Sequence, residues 1–244
     1  MAVEHNITDK KLNALDLLQF NNGQNPYSGN SVNNGFVNST EYYRSMLRHF
    51  GIVDKTVLDL MCGFGTWSIF LAESNQSVIA MDRNKGVINI AKGLSEYFKQ
   101  RNIKYLVGDV SDTRQFPNEY FDAVWLWNSL IYVERGPCLK EVHRVLKPGG
   151  NVVLGRVNST GRLIEKLLYG FSGLNSRHRA HRQQALSAFL NGPYYDGRPN
   201  YVTIRTAEKI FGKLGFEILK HEIEDSSVFG ILPRNLHFLL RKDS

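Results

Sequence analysis

The chain has 244 residues, 42% of them hydrophobic, and carries a net charge of +7 with its histidines neutral. That is enough apolar material for one full α/β core and an insertion, but no apolar run approaches the roughly 18 residues that span a bilayer. The opening MAVEHNITDKK has no apolar export core, and Cys62 and Cys138 stand in a turn and at a helix start, so we expect a cytoplasmic protein without a disulfide.

In chain order, Thr8 caps a stripe of Leu12, Leu15, Leu17 and Leu18 at helical spacing. Residues 21–38, rich in Asn, Gly and Ser, read as a long loop of the kind that serves as a lid. A helix follows to about His49, capped by Ser39 or Thr40 and carrying Tyr42, Tyr43, Met46, Leu47 and Phe50. Val57 to Leu60 is a short apolar run, hence a buried strand, and Cys62-Gly63-Phe64-Gly65 is a tight turn. From Thr66 to Glu73, Trp67, Phe70 and Leu71 keep helical spacing; Val78 to Met81 is a second strand, stopped by Asp82.

The spacing then predicts a helix over 85–99 with Val87, Ile88, Ile90, Ala91, Leu94 and Phe98 inward, and a strand over 103–107. Residues 112–117 are a connector, and 121–127 a fourth strand. Asn128 to Val133 leaves that strand at its carboxyl end, where open α/β sheets place ligands. Pro137 starts a helix with Leu139, Val142, Val145 and Leu146 on its buried side; a turn at 146–150 leads to a fifth strand over 152–154. After an insertion, Thr206 caps a helix over 207–214 that Gly215 ends, and strands over 216–224 and 236–241 close the chain. The domains expected are N-terminal helices over 1–50, a core of 51–157 with 203–244, and a cap insertion over 158–202.

The stretch from Thr56 to Asp82 is the informative one. Strand, glycine turn, helix and strand with an acid at its tip make a βαβ unit that holds a nucleoside. Gly63 and Gly65 leave room for a ligand to reach the backbone N–H groups at the helix start, and Asp82 lies where a carboxylate can accept from ribose hydroxyls. A dinucleotide turn wants a small residue three positions after the second glycine, and Ser68 there is tolerable but not diagnostic. Asp59 separates the two cofactors. A diphosphate has no use for a second negative charge at that point, whereas a cofactor with a cationic amino-acid tail does. A turn-stabilising acid is the plain alternative.

Here the chain resembles the class I S-adenosylmethionine-dependent methyltransferases. Leu58-Asp59-Leu60-Met61-Cys62-Gly63-Phe64-Gly65 matches their D-x-G-x-G-x-G motif, except that Met61 stands where glycine is common. Asp82, Gly108-Asp109-Val110, the strand Phe121 to Trp127 and the turn Leu146 to Gly150 match later family features in order. The resemblance implies a doubly wound, mostly parallel seven-stranded Rossmann-like sheet with a C-terminal antiparallel strand and a helical cap after strand five. It also implies S-adenosylmethionine as cofactor and S-adenosylhomocysteine as product. By it, Met61, Cys62, Gly63 and Gly65 hold the methionine tail with Asp59 near its ammonium, and Asp82 with Arg83 takes the ribose. Asp109 and Val110 meet the adenine, Asn128 faces the cleft, and Tyr42 or Tyr43 closes over the cofactor.

Substrate identity is expected in the insertion. Between Arg156 and Arg205, eight cationic residues face only Glu165 and Asp196. Arg177, Arg179 and Arg182 are candidates to attract an anionic acceptor, with a solvated helix face as the plain alternative. Tyr194 and Tyr195 could stack on a ring. No catalytic residue is assigned, because the donor is already activated; His178, His181 and Tyr42 are the candidate bases. Asn128-Ser129-Leu130-Ile131 lacks the prolines and aromatic of base-amine methylating enzymes, Cys138 reads as buried and His143 as a surface residue. No zinc-ligand spacing occurs, so no metal is expected.

The reading is transfer of a methyl group to an O or N nucleophile of a small molecule, by a monomer or homodimer. An RNA or rRNA methyltransferase is the alternative, supported by a sequence pI near 9.4. A non-catalytic cofactor-binding partner subunit is the third reading, and a nicotinamide-linked oxidoreductase the fourth.

Overall fold

The computed structural model describes residues 40–110, 113–159, 161, 164, 202–224, 227–228 and 232–243. The helix expected over 8–20, the loop over 21–38 and nearly all of the insertion lie outside the described residues. The chain divides into two compact units, Met1–Val124 and Trp125–Ser244.

The first unit is built on three parallel strands, β1 (Thr56–Leu60), β2 (Ser77–Asp82) and β3 (Ile103–Val107), paired β1 to β2 and β2 to β3. Val57, Leu58 and Leu60 are fully buried, as the apolar residues of a parallel strand covered on both faces must be. Among the described residues this unit has three helices, α1 (Thr40–Phe50), α2 (Thr66–Ser74) and α3 (Lys85–Tyr97). Asn84 caps α3 by accepting from the Gly86 and Val87 N–H groups. Helix α1 is fastened to α2 by aromatic and charged contacts. The Tyr43 ring stacks on Phe70 at 4.6 Å and meets Trp67 edge-on at 4.8 Å, and Arg44 reaches both oxygens of Glu73 at 2.8 Å. Tyr43 is therefore a core residue, and Tyr42 is the half-buried one of the pair.

Strand β4 (Phe121–Trp127) crosses the boundary between the units. The second unit continues through a short 3₁₀ turn (Leu130–Tyr132), α4 (Arg135–Val145), β5 (Leu146–Asn158) and α5 (Ile204–Gly212). It then adds β6 (Phe216–Ile223), the short strands β7 (Ser227–Val228) and β8 (Leu232–Pro233), and β9 (Asn235–Lys242). Strand β9 runs antiparallel to both β5 and β6, with a register shift on each side. The strand order is β3-β2-β1-β4-β5-β9-β6, with β7 and β8 a separate hairpin. This is the doubly wound, mostly parallel seven-stranded order expected, closed by antiparallel pairing.

Several local details differ from the sequence reading. Helix α4 begins two residues before Pro137, which sits in the first turn, where its missing N–H has no intrahelical partner to lose. Strand β5 takes in the segment expected as a turn, with Gly149 left-handed at φ +71 inside it. The cap of α5 is Thr203, three residues earlier than expected; Thr206 is its capping-box partner, and each side chain bonds the other's backbone N–H. His143 is half-buried, with its ring edge-on to Phe216 and against Gly215. Residues 158 and 202 lie together at the neck of the insertion, where the Val202 N–H donates to the Asn158 carbonyl at 2.9 Å.

Gly155 of β5 has no side chain, and the Trp127 indole occupies the space a Cβ would take. The same indole stacks on Trp125 at 5.4 Å and on His237 of β9 at 4.8 Å. Replacing Gly155 with Ala forces that ring out of its stack, with an expected loss of about 1–3 kcal/mol; urea denaturation showing wild-type stability would refute this.

Candidate active site

The turn between β1 and α2 is left-handed at every second residue: Met61 at φ +57, Gly63 at +56 and Gly65 at +74. These are the glycine positions of the sequence motif. The first is met by a methionine, at a cost of roughly 1–2 kcal/mol for a side chain in that region. The turn is held from inside by the Gly65 N–H donating to the Cys62 carbonyl at 3.0 Å, and by the Cys62 N–H donating to Met81 of β2 at 3.1 Å. Successive backbone N–H groups in such a turn form an anion-accepting concavity at the start of α2.

The two glycines serve different ends. A Cβ at Gly63 would meet nothing within 4 Å, so that side of the turn is open. A Cβ at Gly65 would meet the Tyr105 hydroxyl at 2.6 Å and Ala91 at 2.9 Å. Gly65 therefore lets the turn sit down on β3 and α3, a packing role that the sequence reading did not give it.

Two aspartates flank the turn. Asp82, half-buried at the tip of β2, accepts from the Gly63 N–H at 3.1 Å and from the Asn84 N–H at 2.9 Å, one on each oxygen. It joins the two βα turns, and each oxygen retains a second lone pair for a ligand hydroxyl. Asp59 is 2% exposed and accepts from the Ser68 hydroxyl at 2.6 Å. Burial pushes its carboxyl up to about 7; the Ser68 bond opposes that rise and the nearby Asp82 charge adds to it. Burial and the same two acids raise the Cys62 thiol well above its ordinary value, which leaves it a poor nucleophile.

The remaining candidates are placed as follows. Arg83 is exposed, Asp109 is exposed just past β3, and the Val110 side chain is buried. Asn128 stands at the end of β4 at φ +56 with its N–H on the Gly155 carbonyl at 2.8 Å, within the second unit. Tyr42 packs on Tyr43 and Trp67 in the first unit. Arg177, His178, Arg179, His181, Arg182, Tyr194 and Tyr195 lie outside the described residues. Cys138 is buried and both cysteines are free. Among the described residues no group of His, Cys, Asp and Glu could hold a metal, and no helix is long and apolar enough to cross a membrane.

The sequence reading missed Ser68 as a hydrogen-bond donor to Asp59. It also missed Tyr105 beneath the turn and Asn84 as the link to Asp82. Ser68 carried a signal, since it stands nine residues after Asp59 in the first turn of α2, but it was weighed there only for its size.

This arrangement is that of an α/β domain with a left-handed glycine turn between its first strand and the helix that follows. Residues 57–150 match the sequence model of the family described as "Methyltransferase domain". The chain is 35% identical over 117 residues to a demethylmenaquinone methyltransferase from Lactococcus lactis subsp. lactis, covering 45% of each. It is 27% identical over 109 residues to a ubiquinone biosynthesis O-methyltransferase from Acinetobacter baylyi, covering 44% of this chain and 46% of that one. The match thus spans less than half the length of these curated relatives. In fold it is similar to a SAM-dependent methyltransferase from Methanosarcina mazei, with a TM-score of 0.58 at 22% identity over 81% of this chain and 97% of that one. Residues 57–150 are thus similar in sequence to a methyltransferase domain, and the fold is the one that such solved structures share.

The Asp59 carboxyl binds its proton more tightly folded than unfolded, so its contribution to stability is present below pH 4 and is lost as pH rises to about 7. Asp59→Asn removes that loss. Its melting temperature relative to wild type, without ligand, should rise between pH 5 and pH 8, by the equivalent of about 1–4 kcal/mol. A difference independent of pH would show that Asp59 is ionised throughout.

Proposed function

We propose that the protein is an enzyme that transfers a methyl group from S-adenosylmethionine to an O or N nucleophile of a small molecule. The observation that carries this reading is the left-handed Met61–Gly65 turn with a buried acid at one side and a half-buried acid at the other. The residues fit the cofactor. Asp59 is a desolvated carboxyl that gains most from an ammonium, Asp82 has lone pairs for ribose hydroxyls, and the open side of Gly63 admits the tail to the backbone. Asp109 and the Val110 N–H would meet the adenine, with Arg83 beside the ribose and Asn128 toward the acceptor.

The bound sulfonium supplies an already activated methyl group. The chain then has to align the nucleophile in line with it and keep water out, and alignment alone can lower the barrier by about 7–11 kcal/mol. A general base adds roughly 10²–10⁴-fold, and His178, His181 and Tyr42 are the side chains offered for it. The two relatives are named for small-molecule acceptors, which supports a small molecule here. Arg177, Arg179 and Arg182 favour an anionic one, with Tyr194 and Tyr195 against its ring. The excess charge between Arg156 and Arg205 is what supports RNA as the competing acceptor.

Asp82→Ala should weaken S-adenosylhomocysteine binding by about 1–3 kcal/mol in calorimetry; unchanged affinity would remove Asp82 from the ribose. Affinity for S-adenosylmethionine should rise from pH 6 to pH 8, because binding an ammonium favours the ionised Asp59, and a flat profile would contradict that pairing. Incubation with methyl-labelled donor and fractionated cell extract should put label into metabolites. Label in RNA alone would establish the competing acceptor.

A further inference from the structure

Arg156 stands where β5 shifts register against β9, and its backbone is left-handed at φ +54. That conformation strains any residue with a side chain, and bulges beside a site serve to re-aim one. The strained backbone is held by His237 of β9, whose Nδ1 accepts the Arg156 N–H at 3.1 Å. The guanidinium is braced as well. Its Nη2 meets Glu224 Oε1 at 3.1 Å, and the other oxygen of Glu224 accepts from the Asn235 amide. Among the described residues the buried Arg156 Nε has no hydrogen-bond partner, which is a second cost at the same position. The side chain is nevertheless 41% exposed, so its open part is the outer end of the guanidinium.

The strand topology fixes which edge of the sheet this is. Strand β9 is antiparallel to both β5 and β6, so those two run the same way. Arg156 lies near the end of β5 and Glu224 follows the last residue of β6, so both stand at the carboxyl edge. Asn128, just past β4, joins them through its N–H on the Gly155 carbonyl at 2.8 Å. The insertion leaves and returns at this edge too, where the Val202 N–H donates to the Asn158 carbonyl. Open α/β sheets place ligands outside the carboxyl ends of their strands. A strained, braced and half-open arginine at that edge is poorly explained by stability alone.

We propose that Arg156, braced by Glu224, binds an oxyanion of the methyl acceptor, a carboxylate or a phosphate monoester. The guanidinium is a planar fork that suits either group, and Glu224 engages only one of its three nitrogens. This rests on the reading of the protein as a methyltransferase. It places acceptor recognition on the sheet itself, in addition to the arginines of the insertion.

The test uses methyl-labelled S-adenosylmethionine and the small-molecule fraction of cell extract. The labelled product should be retained on an anion-exchange resin; retention abolished by phosphatase identifies a phosphate monoester, and retention that survives it a carboxylate. Arg156→Gln should cut labelling in dilute extract about 10–100-fold, the loss of hydrogen bonds between charged groups. Labelling should recover as the extract is concentrated, and S-adenosylhomocysteine affinity should stay unchanged. Arg156→Lys, which keeps the charge and loses the fork, should fall between the two. Arg241→Gln, which removes an exposed cation opposite Asn151 at the other end of β5, should label as wild type does. A product that passes the resin unretained, or undiminished labelling by Arg156→Gln in dilute extract, would overturn the proposal. So would loss of S-adenosylhomocysteine binding in both Arg156 variants, which would leave the arginine a structural role. Wild-type protein that binds S-adenosylhomocysteine but labels nothing would instead sink the methyl-transfer reading itself.

Discussion

Everything in the first unit depends on a five-residue turn that must bend left at alternate positions. Only glycine does this without steric cost, and the chain supplies it at two of the three places. The third is Met61, strained at φ +57. The strain is tolerated because the neighbouring backbone is tied down, with the Cys62 N–H on Met81 and the Gly63 N–H on the Asp82 carboxylate. The result is a rim of N–H groups at the start of α2, held in place by the strand next door.

The electrostatics of this rim are unbalanced by design of the residues around it. Burial disfavours the charge on Asp59, and the nearby Asp82 adds to that. A neutral or anionic ligand would do nothing to relieve the imbalance. An ammonium relieves it directly, which is the physical reason an amino-acid sulfonium suits the place better than a dinucleotide diphosphate. The raised Cys62 thiol belongs to the same field and is silenced by it.

The second unit is organised by packing. The gap at Gly155 lets the Trp127 ring lie between Trp125 and His237, and the His237 Nδ1 accepts the Arg156 N–H at 3.1 Å where β5 shifts register. At the other end, the buried Lys242 ammonium donates to the Leu146 carbonyl at 2.9 Å, joining the last strand to the end of α4. These contacts fasten β9 to β5, and β9 is the strand that makes the sheet antiparallel at that side.

The sequence by itself determined the element order from β1 to β5, the glycine turn and the acid at the tip of β2. Each of these is a local property: an apolar run between breakers, a required φ, a charge ending a strand. It also marked Met61 as the departure from the motif, and the structure adds that the position is left-handed. What it misjudged depended on distance in the fold. The cap of α5 moved from Thr206 to Thr203 because both residues of a capping box carry the same chemistry. His143 proved half-buried because Gly215 and Phe216, some 70 residues away, close over it. Gly65 is also a packing position, with the Tyr105 hydroxyl where a Cβ would stand. The Ser68 hydroxyl bond to Asp59 joins positions 59 and 68, and no periodicity records that. Local chain preferences are written residue by residue, whereas burial, and with it the protonation of Asp59, exists only once β1, α2 and β3 have come together.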